Sequence, residues 1–316
     1  MILTLTLNPS IDYLYKTDSF YVGQQNRFQA PAKMVGGKGI NAGRTAAILG
    51  SNVICTAVLA GKTGHEIKER LKNEGFHSCF FEVPGESRNA ITIMHDNNIQ
   101  TEIVERGPYI DFVTEQKVLH QLLLFCRLIP EIKVVALAGS ANSNNQELYR
   151  QFVTQIYQHQ PGDIKVITDI SGHQLTNLLK KGPLPYLIKP NIHEFSTFIG
   201  KSLSHKEQLL PYLNSSIFKD LPLIIISCGS EGAIAKHYDR IYDLTIPKIE
   251  LVNPTGSGDA TVGGAAYAMD QGLPIEEVLK YAMAAGVANA MEEAVGFVQV
   301  NQVAELIKDI QITELN

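Results

Sequence analysis

The chain has 316 residues, a formal net charge of -5 and 45% hydrophobic residues. It is long enough for a large core and too apolar for a disordered chain. No run of Lys or Arg points to nucleic acid, and no apolar stretch approaches the ~18 residues of a membrane span.

The segment Ile2–Leu7 reads as a strand, without the basic flank of a signal peptide. Residues 11–34 carry few helix signals and read as the first piece of a small sheet. A helix is predicted near 39–50, a strand over Val53–Ala60 and a helix near 64–74. Residues 87–105 alternate as strands do, at Ala90–Met94 and Gln100–Val104, and form the second piece of the small sheet. Next come a helix near 114–126, the strand Val134–Ala138, a helix near 145–159 and the strand Val166–Asp169. The strand Leu187–Lys189 leads to helices near 192–199 and 205–219. The strand Leu223–Ser227 precedes helices near 257–271, 275–293 and 301–311. Cys55, Cys79, Cys126 and Cys228 are scattered, without metal-type spacing. Reduced thiols in a cytoplasmic protein are expected.

Apolar strand runs separated by helices predict an α/β fold. The expected form is a doubly wound, mostly parallel sheet flanked by helices, forming one domain over 1–316. A small β-sheet, inserted in two pieces at about 11–34 and 87–105, would act as a lid whose open edges could pair with a second copy. Ligands bind beyond the carboxyl ends of such strands, where Asn8, Asp12, Gly139, Asn191 and Gly229 fall.

Two glycine turns carry the strongest chemistry. In Val252-Asn253-Pro254-Thr255-Gly256-Ser257-Gly258-Asp259 a turn opens a helix. Gly256, Ser257 and Gly258 can present successive N–H groups at the positive helix end, where an anion is favoured. Asp259 is a carboxylate beside that anion site. Its natural role is to orient or deprotonate a hydroxyl while the N–H groups stabilise a phosphoryl group. A plain capped helix gives the same pattern. The second turn is Val35-Gly36-Gly37-Lys38-Gly39-Ile40-Asn41-Ala42-Gly43-Arg44, with Lys38 and Asn41 at a helix start. These groups suit a phosphorylated or polyhydroxylated ligand. A dinucleotide fingerprint is the competitor. It requires a core strand before it and an acid about 20 positions later. The preceding Gln29-Ala30-Pro31-Ala32-Lys33-Met34 makes a poor core strand, no acid stands near position 60, and no P-loop occurs in the chain, so this competitor is the weaker reading.

Four weaker signals stand beside these. Asp12, after Leu7-Asn8-Pro9-Ser10-Ile11, could accept bonds from sugar hydroxyls or simply cap a turn. Asn191 and Glu194 sit at i and i+3 on a helix start. They could hold a hydrated Mg²⁺, or form only a capping box. The turn Ser227-Cys228-Gly229-Ser230-Glu231-Gly232 allows close approach of a nucleotide, or is a tight turn and no more. Arg27 and Arg88 fall in the lid strands, where they could clamp a phosphate or remain solvated.

In this order, over nearly the whole chain, these motifs resemble the ribokinase-like carbohydrate kinases of the phosphofructokinase-B type. Gly36-Gly37-Lys38-Gly39-Ile40-Asn41 resembles the family's first signature and Asn253 to Asp259 the second. Asn191 to Glu194 is similar to its N-x-x-E element, tied to Mg²⁺ and phosphate. Leu5 to Asp12 and Val252-Asn253-Pro254 resemble the phosphoketohexose branch, 1-phosphofructokinases and tagatose-6-phosphate kinases, and Gly85 to Ile91 and Ala235-Lys236-His237 are more similar to the latter. The resemblance implies ATP-dependent phosphorylation of a ketohexose phosphate, with Mg²⁺. It implies Asp259 as general base and Gly256 to Gly258 as the anion hole. It implies Asp12, Gly37, Lys38 and Asn41 at the sugar phosphate, with Arg27 and Arg88 as its clamp. Lys189, Ser227, Gly229, Gly232, Asn253 and Asn289, with Gly256 and Gly258, fall on the nucleotide side. Asn191 and Glu194 would meet the metal through water. One departure stands out. Where these kinases often carry G-S-L-P-x-G, this chain reads Gly139-Ser140-Ala141-Asn142-Ser143-Asn144. Two other readings stay open: a 1-phosphofructokinase, and a non-catalytic sugar-phosphate or nucleotide sensor.

Overall fold

The computed structural model describes residues 1–96, 99–159, 163–180 and 182–315. Residues 97 and 98, within the second expected lid piece, lie outside them. The first half of the chain forms β1 (Ile2–Thr6), β2 (Ser10–Lys16), β3 (Ala32–Gly36), α1 (Lys38–Ile48), β4 (Val53–Ala60), α2 (Gly61–Leu71), β5 (His77–Val83), β6 (Arg88–His95), β7 (Ile99–Val104), α3 (Phe112–Leu128) and β8 (Val134–Ala138). The second half forms α4 (Leu148–His159), β9 (Lys165–Asp169), α5 (Gly172–Lys180), β10 (Leu187–Ile188), α6 (Ile192–Ile199), α7 (Leu210–Leu213), β11 (Leu223–Ser227), β12 (Ala233–His237), β13 (Arg240–Thr245), α8 (Ser257–Asp270), α9 (Ile275–Ala290), α10 (Val300–Asp309) and β14 (Gln311–Leu315).

The larger sheet runs β5-β4-β1-β8-β9-β10-β11-β12-β13-β14. It is parallel from β5 to β11, and antiparallel through β12, β13 and β14. The central strands are unbroken apolar runs because both faces are covered. Alternate side chains serve the two faces. Leu3, Val135, Leu137 and Ile224 pack with Val118, Phe152, Leu178 and Phe195 from α3, α4, α5 and α6. Ile2, Val134, Ala136 and Ile225 pack with Ala42, Val262, Leu279 and Val303 from α1, α8, α9 and α10. This is the expected doubly wound architecture.

The second sheet is ordered β3-β2-β6-β7, with β2 and β6 parallel and the outer pairs antiparallel. Both expected pieces contribute to it, although the chain between β2 and β3 is not strand. Ile11 and Val35 of this sheet pack with Ile40, Leu59 and Ile67, which fixes it to α1, β4 and α2. Its edges, β3 and β7, are open, and Ile99, Ile103 and Val104 are exposed.

Several elements differ from the expected ones. The helix near 205–219 is a broken series of short turns, with only Leu210–Leu213 α-helical. Pro211 removes a backbone donor from this stretch. Helix α5 and strands β5, β12, β13 and β14 are additional. Those strands build the sheet margins: β5, β13 and β14 are partly exposed, which lets polar residues interrupt the apolar pattern, while buried Lys236 interrupts β12 and donates to Phe218 O. No described helix is long and apolar enough to cross a membrane.

Helix α8 lies between α1 and α9, and its small residues have a packing reason. A Cβ at Gly263 would come within 2.5 Å of the Ala42 carbonyl oxygen, and one at Gly264 within 2.7 Å of Ala285 Cβ. The backbones meet too closely for larger side chains. That contact sets where the first turn of α8 sits.

Candidate active site

The carboxyl ends of β1, β8, β9, β10 and β11 open toward the starts of α1, α6 and α8. Helix α8 begins at Gly256, whose φ of 80° is left-handed. A Cβ there would strike Val295 and come within 3.2 Å of Asn289 Oδ1. Only glycine fits this turn. Asn253 Oδ1 accepts from Thr255 N at 3.0 Å, and its Nδ2 donates to Glu293 O at 2.9 Å. Asn289 is wholly buried and donates to Ala294 O at 3.0 Å and Phe297 O at 3.1 Å. Asn253 therefore braces the turn, and Asn289 holds the segment 294–297 that packs against Gly256.

Asp259 sits in the first turn of α8 and is 9% exposed. Asn41 Nδ2, from α1, donates to its Oδ2 at 2.8 Å. Lys189, just beyond β10, is buried, with its ammonium 3.0 Å from where a Cβ on Gly258 would lie. Burial pushes the Asp259 carboxyl up to about 6, and Asp169 adds to this, while Lys38, Asn41 and Lys189 oppose it. Lys38 Nζ donates to Asp169 Oδ1 at 3.1 Å and lies 3.7 Å from Glu194 Oε1. Burial pulls the Lys38 pKa down, but Asp169, Asp259 and Glu194 together raise it above the usual lysine value. Asp169 is a site residue that the motifs did not mark. Its signal is position alone, an acid at the carboxyl end of a core parallel strand.

Asn191 and Glu194 form a full capping box. Asn191 Oδ1 accepts from Glu194 N at 2.8 Å, and Glu194 Oε2 accepts from Asn191 N at 2.9 Å. Glu194 Oε1 is left over beside Lys38. Among the described residues, Asp169 Oδ2 is buried without a hydrogen-bond partner. These spare oxygens are hard acceptors of the kind that suits a hydrated Mg²⁺.

Beside this cluster, Ser227 N donates to Pro190 O at 3.1 Å, and Ser227 bridges to Asn191. The turn through Gly229 and Gly232, at φ of 58° and 90°, thus starts next to Asn191. On the other side, Ser10 Oγ donates to Asp12 Oδ1 at 2.5 Å. Burial raises the Asp12 pKa, opposed by Ser10, Arg88 and Arg44. Arg88 Nε donates to the Asn8 carbonyl at 3.1 Å, so its remaining N–H groups can serve a ligand. Gly37, at φ 127°, is packed against Thr6 and Pro9 and caps α1. Arg27 stands apart. It is exposed, on the segment between β2 and β3, and its one hydrogen bond among the described residues goes to Gln25 at 3.4 Å.

The departing loop at 139–144 is firmly held. Buried Glu115 accepts from Ser143 Oγ at 2.5 Å and from Asn145 Nδ2 at 2.8 Å. Asn142 donates to Gly107 O at 3.0 Å and accepts from Ile110 N at 2.8 Å.

The chain is similar to several known proteins. Residues 5–299 match the model of the pfkB family carbohydrate kinases. The chain is 37% identical over 316 residues, the full length of both proteins, to tagatose-6-phosphate kinase of Staphylococcus epidermidis. Its fold resembles that of Escherichia coli phosphofructokinase-2 solved with substrates and products, at TM-score 0.84 and 23% identity over 97% of this chain and 98% of that one. A Thermotoga maritima structure named as a possible 1-phosphofructokinase gives TM-score 0.87 at 20% identity, over 100% of this chain and 99% of that one. Those two likenesses concern the fold, which is ribokinase-like. With a family match over most of its length and a full-length relative, the chain belongs to the pfkB family, and it is a carbohydrate kinase that transfers phosphate to a sugar.

Proposed function

We propose that this kinase adds a second phosphate to a ketohexose phosphate, with ATP as donor and tagatose 6-phosphate as acceptor. The observation that carries the reading is Asp259. It is a buried carboxylate in the first turn of α8, bonded by Asn41 and flanked by Lys38 and Lys189. The acceptor hydroxyl gives its proton to Asp259 as its oxygen bonds to the γ-phosphorus and ADP leaves. In a loose transition state that proton leaves late, so Asp259 mainly orients the nucleophile. The N–H groups of Gly256, Ser257 and Gly258 would stabilise the phosphoryl oxygens. Mg²⁺, when bound, neutralises phosphate charge, and Asn191 and Glu194 would hold it through water. Asp12, Gly37, Lys38 and Asn41 would meet the sugar phosphate, with Arg88 as clamp and Arg27 reaching in from its exposed segment. Ser227, Gly229 and Gly232 would line the nucleotide. The choice of sugar is supported by the full-length likeness to a tagatose-6-phosphate kinase. Pairing of two copies along the open edges β3 and β7 belongs to the same reading, and a sedimentation mass of one chain would exclude it.

A coupled ADP-release assay tests the activity on tagatose 6-phosphate, fructose 1-phosphate, fructose 6-phosphate and fructose. Tagatose 6-phosphate should give the highest kcat/KM, and Asp259→Asn should lower kcat about 10²–10⁴-fold with little change in KM. A leading rate with fructose 1-phosphate would reverse the choice of sugar. Retained turnover in Asp259→Asn would remove Asp259 as the base.

The pH profile offers a second check. Asp259 must be ionised to take a proton, and its pKa is raised to about 6. Below that pH, kcat/KM should fall about tenfold per unit. The phosphate of the sugar also titrates near pH ~6. Asn41→Ala separates the two, because losing a donor to the carboxylate raises its pKa and moves the acid limb to higher pH. An unmoved limb would assign it to the substrate. Arg88→Ala should raise KM for the phosphosugar far more than KM for ATP, and equal effects on both would rule out a phosphate clamp.

A further inference from the structure

One buried arginine joins the candidate base to three other parts of the fold. Arg44, on α1, is 3% exposed. A guanidinium has five N–H donors, and here every one is used. Nε and Nη2 grip the Glu74 carboxylate at 2.6 and 2.8 Å. Nη2 also donates to the Val35 carbonyl, at the end of β3, at 3.2 Å. Nη1 donates to the Val295 carbonyl at 2.9 Å and to Asn41 Oδ1 at 2.8 Å.

That last bond decides which way round the Asn41 amide sits. With Oδ1 committed to the guanidinium, Nδ2 is the end that faces Asp259, at 2.8 Å. A flipped amide would set its NH₂ group against the guanidinium and its oxygen against the carboxylate. Both bonds would be lost, and two repulsive contacts would replace them.

We propose that Arg44 is a positioning residue for phosphoryl transfer: clamped by Glu74, it fixes the Asn41 amide so that Nδ2 holds the Asp259 carboxylate in place. The Val295 carbonyl bond holds the guanidinium from the other side and so fixes the donor that Asn41 meets. Phe297 covers the guanidinium, with its ring centre 5.1 Å from the central carbon. Arg44 therefore has no open face for a ligand and acts through Asn41. Lysine would keep the charge but has three donors on one atom, and it cannot reproduce the planar fork.

The inference rests on Asp259 as the base, so Asp259→Asn is measured first in the ADP-release assay. Retained turnover there overturns both readings. With Asp259 confirmed, the variants are Arg44→Lys, Glu74→Gln, Asn41→Ala and the double variants with Asn41→Ala, each checked for folding by circular dichroism. Arg44→Lys should lower kcat about 10–100-fold, with KM for both substrates little changed, as expected of a misplaced reacting group. Glu74→Gln should act in the same direction and more weakly. In the Asn41→Ala background each change should cost less than about twofold, because residues acting through one contact are not additive. A kcat for Arg44→Lys within about twofold of wild type, or losses that multiply in the double variant, would overturn the proposal while leaving Asp259 as base. If Arg44→Lys does not fold, the Glu74→Gln and Asn41→Ala cycle decides by the same criterion.

Discussion

Three carboxylates converge on the ammonium of Lys38, and the chemistry of the site depends on that ratio. Asp169 and Glu194 lie 3.1 and 3.7 Å from it, and its charge also acts on Asp259. With Lys189 added, three acids still face two cations. A site with a surplus negative charge repels phosphates unless protons or cations enter with them. The pKa of Asp259, raised mainly by burial and further by Asp169, lets this acid carry a proton part of the time. A divalent cation arriving with the nucleotide would also offset the surplus charge. Lys38 keeps the three acids from destabilising one another, so losing its charge would disturb the base as much as any ligand contact.

The place of Asp259 is set further away, by helix packing. Helix α8 can lie between α1 and α9 only because Gly263 and Gly264 allow backbone contact. The same approach brings Asn41 of α1 within hydrogen-bond distance of Asp259. Packing and site geometry are thus one constraint. The small-residue run after the glycine turn looks like a weakly specified helix in one dimension. In three it is the surface that aligns the base with its amide.

The glycine turns were legible because each requires a backbone that few residues adopt. Gly37 and Gly256 have left-handed φ and tight neighbours, and their spacing to Lys38, Asn41 and Asp259 is local. The parallel core was legible from its continuous apolar runs. The antiparallel margin was not. In β12 and β13, Lys236, His237, Arg240 and Asp243 interrupt the apolar pattern, and the hairpin turns at Tyr238 with φ 51°. Asp169 and Arg44 stayed hidden for another reason. Each owes its role to partners 131 and 30 residues away, Lys38 and Glu74. No local pattern carries that information. Asn191 and Glu194 show the reverse, a local pattern whose capping reading holds in full while the second carboxylate oxygen faces Lys38 at 3.7 Å.

The loop at 139–144 lacks the proline that the resemblance leads one to expect, and the structure shows what holds it. A proline fixes one φ angle and so limits the loop before it folds. Here the loop is ordered by a carboxylate instead. Glu115 is 2% exposed and holds Ser143 and Asn145, while Asn142 ties the loop to the segment at Gly107 and Ile110. Gly139 keeps its left-handed φ of 96°, and its carbonyl accepts from the Tyr149 hydroxyl at 2.7 Å. A buried acid with two donors is a strong anchor, since leaving it unpaired would be costly. The loop is therefore ordered without a proline. A loop that had merely decayed would have no reason to bury a glutamate. An ordered loop beside Lys38 gives no support to a protein that binds without turnover.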